Sequence, residues 1–184
     1  IGHIDNGGSA YDVAVSGNFA YVAHSIGGLR IYDITDPASP VTTGHIDNGG
    51  VAMSVAVSGD YAFLANLDDG LRIYDITDPA NPINVSRIDN GDRAFGVAVS
   101  GNHAYLANED GGLRIYDITD PAAPVNVGHI DDGGRAQDVA VSGGYAYLAN
   151  GTDGLRVYDV TDPSNPLNLR QVAVTGQAAG VAVS

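Results

Sequence analysis

The chain has no cysteine and no tryptophan among its 184 residues. It also has no lysine and a single glutamate, Glu109. Without cysteine there is no disulfide framework, no thiolate nucleophile and no Cys-ligated zinc. All eight cations are Arg, set against 22 acids, so the formal charge is −14. A chain this acidic lacks the clustered cations that a nucleic-acid backbone requires. It is not drawn to an anionic membrane surface either. No apolar run approaches the ~18 residues of a membrane-spanning helix. Apolar residues never recur at three- and four-residue spacing over a useful length, so no helix is predicted. What is present is glycine, 25 residues of it, and an apolar fraction of 44%. That is a globular composition, long enough for one domain with a real core.

Self-similarity organises the rest. Val-Ala-Val-Ser begins at Val13, Val55, Val97, Val139 and Val181, each 42 residues after the last. Leu-Arg-Ile-Tyr-Asp begins at Leu29, Leu71 and Leu113, and Leu155 opens a near-identical copy. Four units of 42 account for 168 residues, and residues 169–184 match residues 1–16. Each unit reads as four short strands; in the first these are Tyr11–Ser16, Ala20–His24, Leu29–Ile34 and Val41–Ile46. Ser16-Gly17-Asn18 is a tight turn, and Asp36-Pro37 to Pro40 is a Pro-bounded one. Strands such as Val13-Ala14-Val15 are apolar on both faces, so both faces need cover. Small sheets stacked around an axis give that cover, and 42 lies in the propeller period. The rival is a β-solenoid, whose coils are shorter and pair in parallel. The expected fold is therefore all-β: a β-propeller of 42-residue, four-stranded antiparallel blades, four full blades plus partial ends. Residues 1–184 form one array in this reading. Val13, Val15, Leu29, Ile31 and their equivalents are expected to be buried between blades.

Residues 104–108, Ala-Tyr-Leu-Ala-Asn, precede Gly-Gly-Leu-Arg-Ile-Tyr-Asp-Ile-Thr-Asp-Pro-Ala-Ala-Pro-Val at 111–125. This unit resembles the LVIVD repeat, and the resemblance covers the whole chain. That family is associated with bacterial and archaeal cell-surface proteins and is expected to build propeller blades. The resemblance implies an extracellular or cell-surface location in a prokaryote, and it brings no catalytic residues. Tyr32, Tyr74, Tyr116 and Tyr158 stand where the repeat's name suggests an aliphatic residue.

Comparing the units with one another separates constant from variable positions. Arg30, Arg72, Arg114 and Arg156 are constant, as are Asp33, Asp75, Asp117 and Asp159. So are Asp36, Asp78, Asp120 and Asp162, each before a proline. A position alike in every blade serves every blade, which is a structural duty. The Arg needs a carboxylate partner, and the Asp before Pro suits a self-bonded turn. Calcium at each Asp-x-x-Asp is the sharper reading, but two side chains fall short of its 6–8 oxygens.

Variation gathers in two loops. One precedes the first strand, and the other joins strands two and three. In an up-and-down blade both lie at one edge, so they share a face. The candidate ligand-binding residues on it are Asp12, Asp68, Asp69, Arg93, Glu109, Asp110, Asp131, Asp132, Arg135 and Asp138. If the first strand is innermost, Tyr11-Asp12, Met53-Ser54, Phe95-Gly96 and Gln137-Asp138 ring the channel mouth. His3, His45 and His129 are equivalent positions on the fourth strand, at the rim, where they would not converge on a metal. Ser16, Ser58, Ser100 and Ser142 sit in a repeated turn without a repeated histidine nearby.

The first expectation of function is a non-catalytic binding or display module. Its acidic face would meet a protein, a glycan or a cation. The second is a self-assembling surface or filament block, and the third a hydrolase using carboxylates near Asp12 and Asp138. No cofactor is expected, and calcium is the metal the acidic face would suit. Expected partners are other copies of the chain or missing blades, with a protein or glycan ligand. Nucleic acid and membrane insertion are not expected. The ends would be completed by a longer propeller or by another copy, since exposed strand edges are normally covered.

Overall fold

The computed structural model describes residues 7–47, 49–89 and 91–183. Among the described residues sixteen strands form four antiparallel sheets, each built from four consecutive strands in chain order. Blade 1 comprises β1 (Asp12–Ser16), β2 (Phe19–Ala23), β3 (Leu29–Asp33) and β4 (Val41–Ile46). Blade 2 comprises β5 (Ser54–Ser58), β6 (Tyr61–Ala65), β7 (Leu71–Asp75) and β8 (Ile83–Ile88). Blade 3 comprises β9 (Gly96–Ser100), β10 (His103–Ala107), β11 (Leu113–Asp117) and β12 (Val125–Ile130). Blade 4 comprises β13 (Asp138–Ser142), β14 (Tyr145–Ala149), β15 (Leu155–Asp159) and β16 (Leu167–Val172). Among the described residues there is no helix.

Each turn follows from its residues. Ser16 pairs with Phe19, leaving Gly17-Asn18 as the hairpin loop. Gly17 has φ +56°, and its counterparts Gly59, Gly101 and Gly143 lie within a few degrees of it. A two-residue loop opening on a left-handed glycine matches the twist of the strands it joins. Asp33 Oδ1 accepts the Thr35 N–H at 2.8 Å, and Asp36 Oδ1 accepts the Ala38 N–H at 3.0 Å. The same two bonds recur in the other blades, for example at Asp117 and Asp120. The constant aspartates are thus staples of the Asp-Pro turn. Strands three and four shift register by one residue in each blade, between Ile31 and Tyr32 in the first.

The blades stack in chain order through their first strands, β1 on β5, β5 on β9 and β9 on β13. β1 and β13 make no comparable contact. Three apolar layers fill the gaps between blades. In the first, the back of blade 1 gives Tyr21, Leu29 and Ile31, and the front of blade 2 gives Val55, Leu64 and Tyr74. Tyr74, Tyr116 and Tyr158 are all but completely buried, so the aromatic variant of the repeat packs as core.

One expected burial is corrected. Val55, Val97 and Val139 are 4–5% exposed, but Val13 is 56% and Val15 63% exposed. Among the described residues no blade packs on the front of blade 1. The back of blade 4 shows the converse, with Leu155 and Val157 only half-buried. Sequence equivalence gives equal apolarity and not equal neighbours.

Candidate binding face and axial cavity

The two variable loops share one face, as the antiparallel pairing demands: Asp12 at the start of β1 lies opposite Ala23 at the end of β2. They are also joined to each other between blades. Leu67 exchanges both backbone hydrogen bonds with Ala94, as Glu109 does with Ala136 and Gly151 with Ala178. The strand-two loop of one blade therefore holds the entry loop of the next. Its pivotal residue is left-handed: Ser25 has φ 44°, Leu67 φ 40° and Glu109 φ 41°, with Gly151 at the fourth place. Non-glycine residues held there carry local strain that the bridge maintains.

The sequence-picked residues fall into three groups. In the first, Arg93 reaches Asp68 at 3.3 Å and Glu109 at 3.5 Å, and Glu109 also pairs with Arg135. Arg93 lies over the Phe95 ring, 5.3 Å from its centre. Asp110 belongs to the same loop and adds to the field that keeps Arg135 charged.

In the second, the constant Arg of blades 2 to 4 finds its carboxylate on a variable loop, whereas the blade-1 loop has no acid and Arg30 makes no ion pair among the described residues. Asp69 pairs with Arg72 and, at 2.8 Å, with Arg87. Arg156 meets Asp153 at 3.0 Å and Asp132 at 3.8 Å. Asp131 caps its own turn by accepting the Gly133 N–H at 2.8 Å. These carboxylates are largely neutralised by the Arg set among them. Among the described residues, no three His, Asp or Glu side chains come together as metal ligands.

The third group is the axial one. Tyr11, Met53, Phe95, Gln137 and Ala179 occupy one repeat position, and Asp12, Ser54, Gly96, Asp138 and Gly180 the next. All but Gly96 line a single cavity of about 470 Å³ where the first strands converge. Asp12 Oδ2 accepts from Ser54 Oγ at 2.8 Å and from the Val55 N–H at 2.9 Å, both in the following blade. Asp138 Oδ2 accepts the Val181 N–H at 2.9 Å in the same way. Ser54 Oγ in turn accepts the Val97 N–H at 3.3 Å. Asp12 and Ser54 thus both face the cavity and tie one blade to the next, and Asp138 ties blade 4 to the segment that follows it. Burial raises the Asp138 carboxyl above its ordinary value, and the nearby Asp12 charge adds to this.

The ligand candidates chosen from sequence did not include Ser54 or the apolar members Tyr11, Met53 and Phe95. The signal was present, because all stand at 42-residue spacing beside Asp12. That spacing already puts them at the channel mouth, but they carry no charge and so are absent from the ligand candidates.

His45 and His129 are structural: they bond the carbonyls of Gly27 and Gly111 at 2.7 and 2.8 Å. Arg87 and Gln171 do the same to Asp69 and Asp153. The shared duty is a donor eighteen residues from a loop carbonyl. His3 lies outside the described residues. Buried Asn66 and Asn150 donate from Nδ2 to Gly49 and Gly133, clasping the Gly-rich entry loop. His24 fills that place in blade 1 and is also buried.

Among solved structures, the computationally designed Ika8 protein superposes with a TM-score of 0.69 at 12% identity. The match covers 92% of this chain and 50% of Ika8, so the chain spans half that protein's length. The computationally designed Ika4 protein gives a TM-score of 0.66 at 13% identity, covering 86% of this chain and 96% of Ika4. At such identities the likeness concerns the fold alone. No curated protein matches the chain. The LVIVD repeat model matches residues 7–48, 49–90, 91–132 and 133–175, the same four units that fold as blades. This chain belongs to the LVIVD-repeat family.

Proposed function

We propose that the chain is a non-catalytic binding module that takes its ligand at the axial cavity. We place it outside the cell or on a prokaryotic cell surface, as the family's association with such proteins suggests. The observation that carries the reading is a division of labour. Constant positions such as Asp33, Asp36 and Arg72 are occupied within the blade, by turn bonds and ion pairs. The repeat position that differs most, carrying Tyr11, Met53, Phe95, Gln137 and Ala179, opens onto one cavity. A ring that needed these residues only for packing would repeat them. A cavity of this size lies within the range of small-molecule pockets.

The test is a screen of small fragments against the full chain by amide NMR. Hits should shift the amides of residues 11–13, 53–55, 95–97 and 137–139. Hits confined to the Asp-Pro turn face would overturn the reading.

A second reading rests on a separate observation. The front of blade 1 exposes Val13 and Val15, whose equivalents in blades 2 to 4 lie in the core or pack partly buried against it, and the back of blade 4 exposes Tyr145 and Val172. These two faces are the halves of the layer that joins every pair of blades. What fits each is therefore another blade, from a second copy or a further repeat, which supports self-assembly.

A further inference from the structure

We propose that the axial cavity binds an organic cation, an ammonium or guanidinium group carried on an apolar body. This rests on the axial reading above and names its ligand class. Two carboxylates, Asp12 and Asp138, and three apolar side chains, Tyr11, Met53 and Phe95, line the cavity together. No Arg lines it.

The contrast with the loops decides the sign of the ligand. Asp68, Asp69, Glu109, Asp132 and Asp153 each have an Arg within 4 Å. Among the described residues Asp12 and Asp138 have only neutral donors: Ser54 Oγ and the N–H groups of Val13, Val55, Val139 and Val181. Arg93, over Phe95, is already committed to Asp68 and Glu109. The cavity thus holds two carboxylates without a counter-ion, in a place sheltered enough to raise one of them. A cation entering it relieves their mutual repulsion.

The lining decides between an organic cation and a metal. Calcium wants 6–8 oxygens. The side-chain oxygens here come from two carboxylates already bonded to backbone, the Ser54 hydroxyl, the Tyr11 phenol and the Gln137 amide. Aromatic faces and a thioether are poor metal ligands but attract a weakly hydrated cation and its alkyl body. Asp12 is held by the adjoining blade and Asp138 by the backbone of the segment that follows blade 4, so their geometry is set before the ligand arrives.

The experiment titrates the full chain with butylammonium chloride, 1-butanol and calcium chloride in separate arms at constant ionic strength, read by amide NMR. Butylammonium should give saturable shifts at the Val13, Val55, Val139 and Val181 amides, and butanol none. Binding should tighten as pH rises through the Asp138 titration, because the cation favours the ionised form. Asp12→Asn with Asp138→Asn should weaken it at least about tenfold, the loss of a charge-assisted contact. Gln137→Lys should abolish it, placing a fixed ammonium in the cavity without removing a bond to either carboxylate. This second variant carries the test if the first fails to fold.

Equal shifts at these amides from butanol would overturn the cation assignment and leave the axial site standing. Saturation by calcium alone would make it a metal site and overturn the proposal. Shifts confined to the loops around Asp68 and Asp110 would overturn both this and the axial reading.

Discussion

Burial raises the Asp138 carboxyl above its ordinary 3.8, while hydrogen bonds from Thr77, Thr119 and Thr161 hold Asp75, Asp117 and Asp159 below it. The two kinds of aspartate act on stability in opposite directions. For the depressed group, stability is present above 3.8 and is lost as pH falls through the lower folded value. For Asp138 the folded state binds its proton more tightly. Its contribution is favourable below 3.8 and falls as pH rises through the raised value. Asp138→Asn removes that penalty but also weakens the bond to the Val181 N–H. The melting temperature of the variant minus that of the parent should therefore become more positive from pH 4 to pH 7. A difference independent of pH would show that Asp138 is not held in a desolvated site. At this scale the sequence was informative where a residue repeats. Asp36 and its equivalents read as turn staples and are so bonded. Arg72 read as needing a carboxylate, and its partner is Asp69 on a variable loop rather than a constant Asp. Spacing within one unit does not say which loop folds back over a strand.

The strands were legible to within about a residue, because alternating β-branched and small residues end at Gly or Pro. His24 was expected inside the second strand but leaves it, since its N–H bonds the Gly28 carbonyl at 2.9 Å and so starts the loop. The bridges between Leu67 and Ala94 and between Glu109 and Ala136 were not legible. They join a variable loop residue to the constant alanine of the next unit through backbone groups alone, so the repeated Ala is their trace in the sequence but does not name its partner. The layered packing gives a direct contrast at one repeat position. Val97 is 5% exposed between blades 2 and 3, whereas Val13 is 56% exposed on the front of blade 1. Val97→Asp should cost about 3–5 kcal/mol by urea denaturation, as an unpaired charge placed in a core. Val13→Asp should cost less than about 1 kcal/mol. Equal losses would mean that the front of blade 1 is covered.

The array as a whole has four blades, and its two ends expose the front of blade 1 and the back of blade 4, each equivalent to one half of an inter-blade layer. If these faces meet between copies, the sedimentation coefficient should rise with concentration. Val13→Arg with Val15→Arg should then hold it constant without lowering the melting temperature by more than a few degrees. A constant coefficient for the parent at 18.8 kDa would leave no self-association to explain. The 42-residue period made the blade count visible in the sequence. The period does not state the angle between successive blades, and that angle decides whether the first strands run in line or converge. Convergence brings Tyr11, Met53, Phe95 and Gln137 to one cavity, and the proposed binding site depends on it. Because the chain has no cysteine, pairs of spin labels can be placed without other changes. The distances to measure by electron–electron double resonance run between exposed equivalent positions on the outer strands, from Val41→Cys to Ile83→Cys, to Val125→Cys and to Leu167→Cys. Blades curving around an axis predict distances that grow by ever smaller steps, with the last well below three times the first. Distances rising in equal steps would describe a straight stack, with no axial cavity and no site.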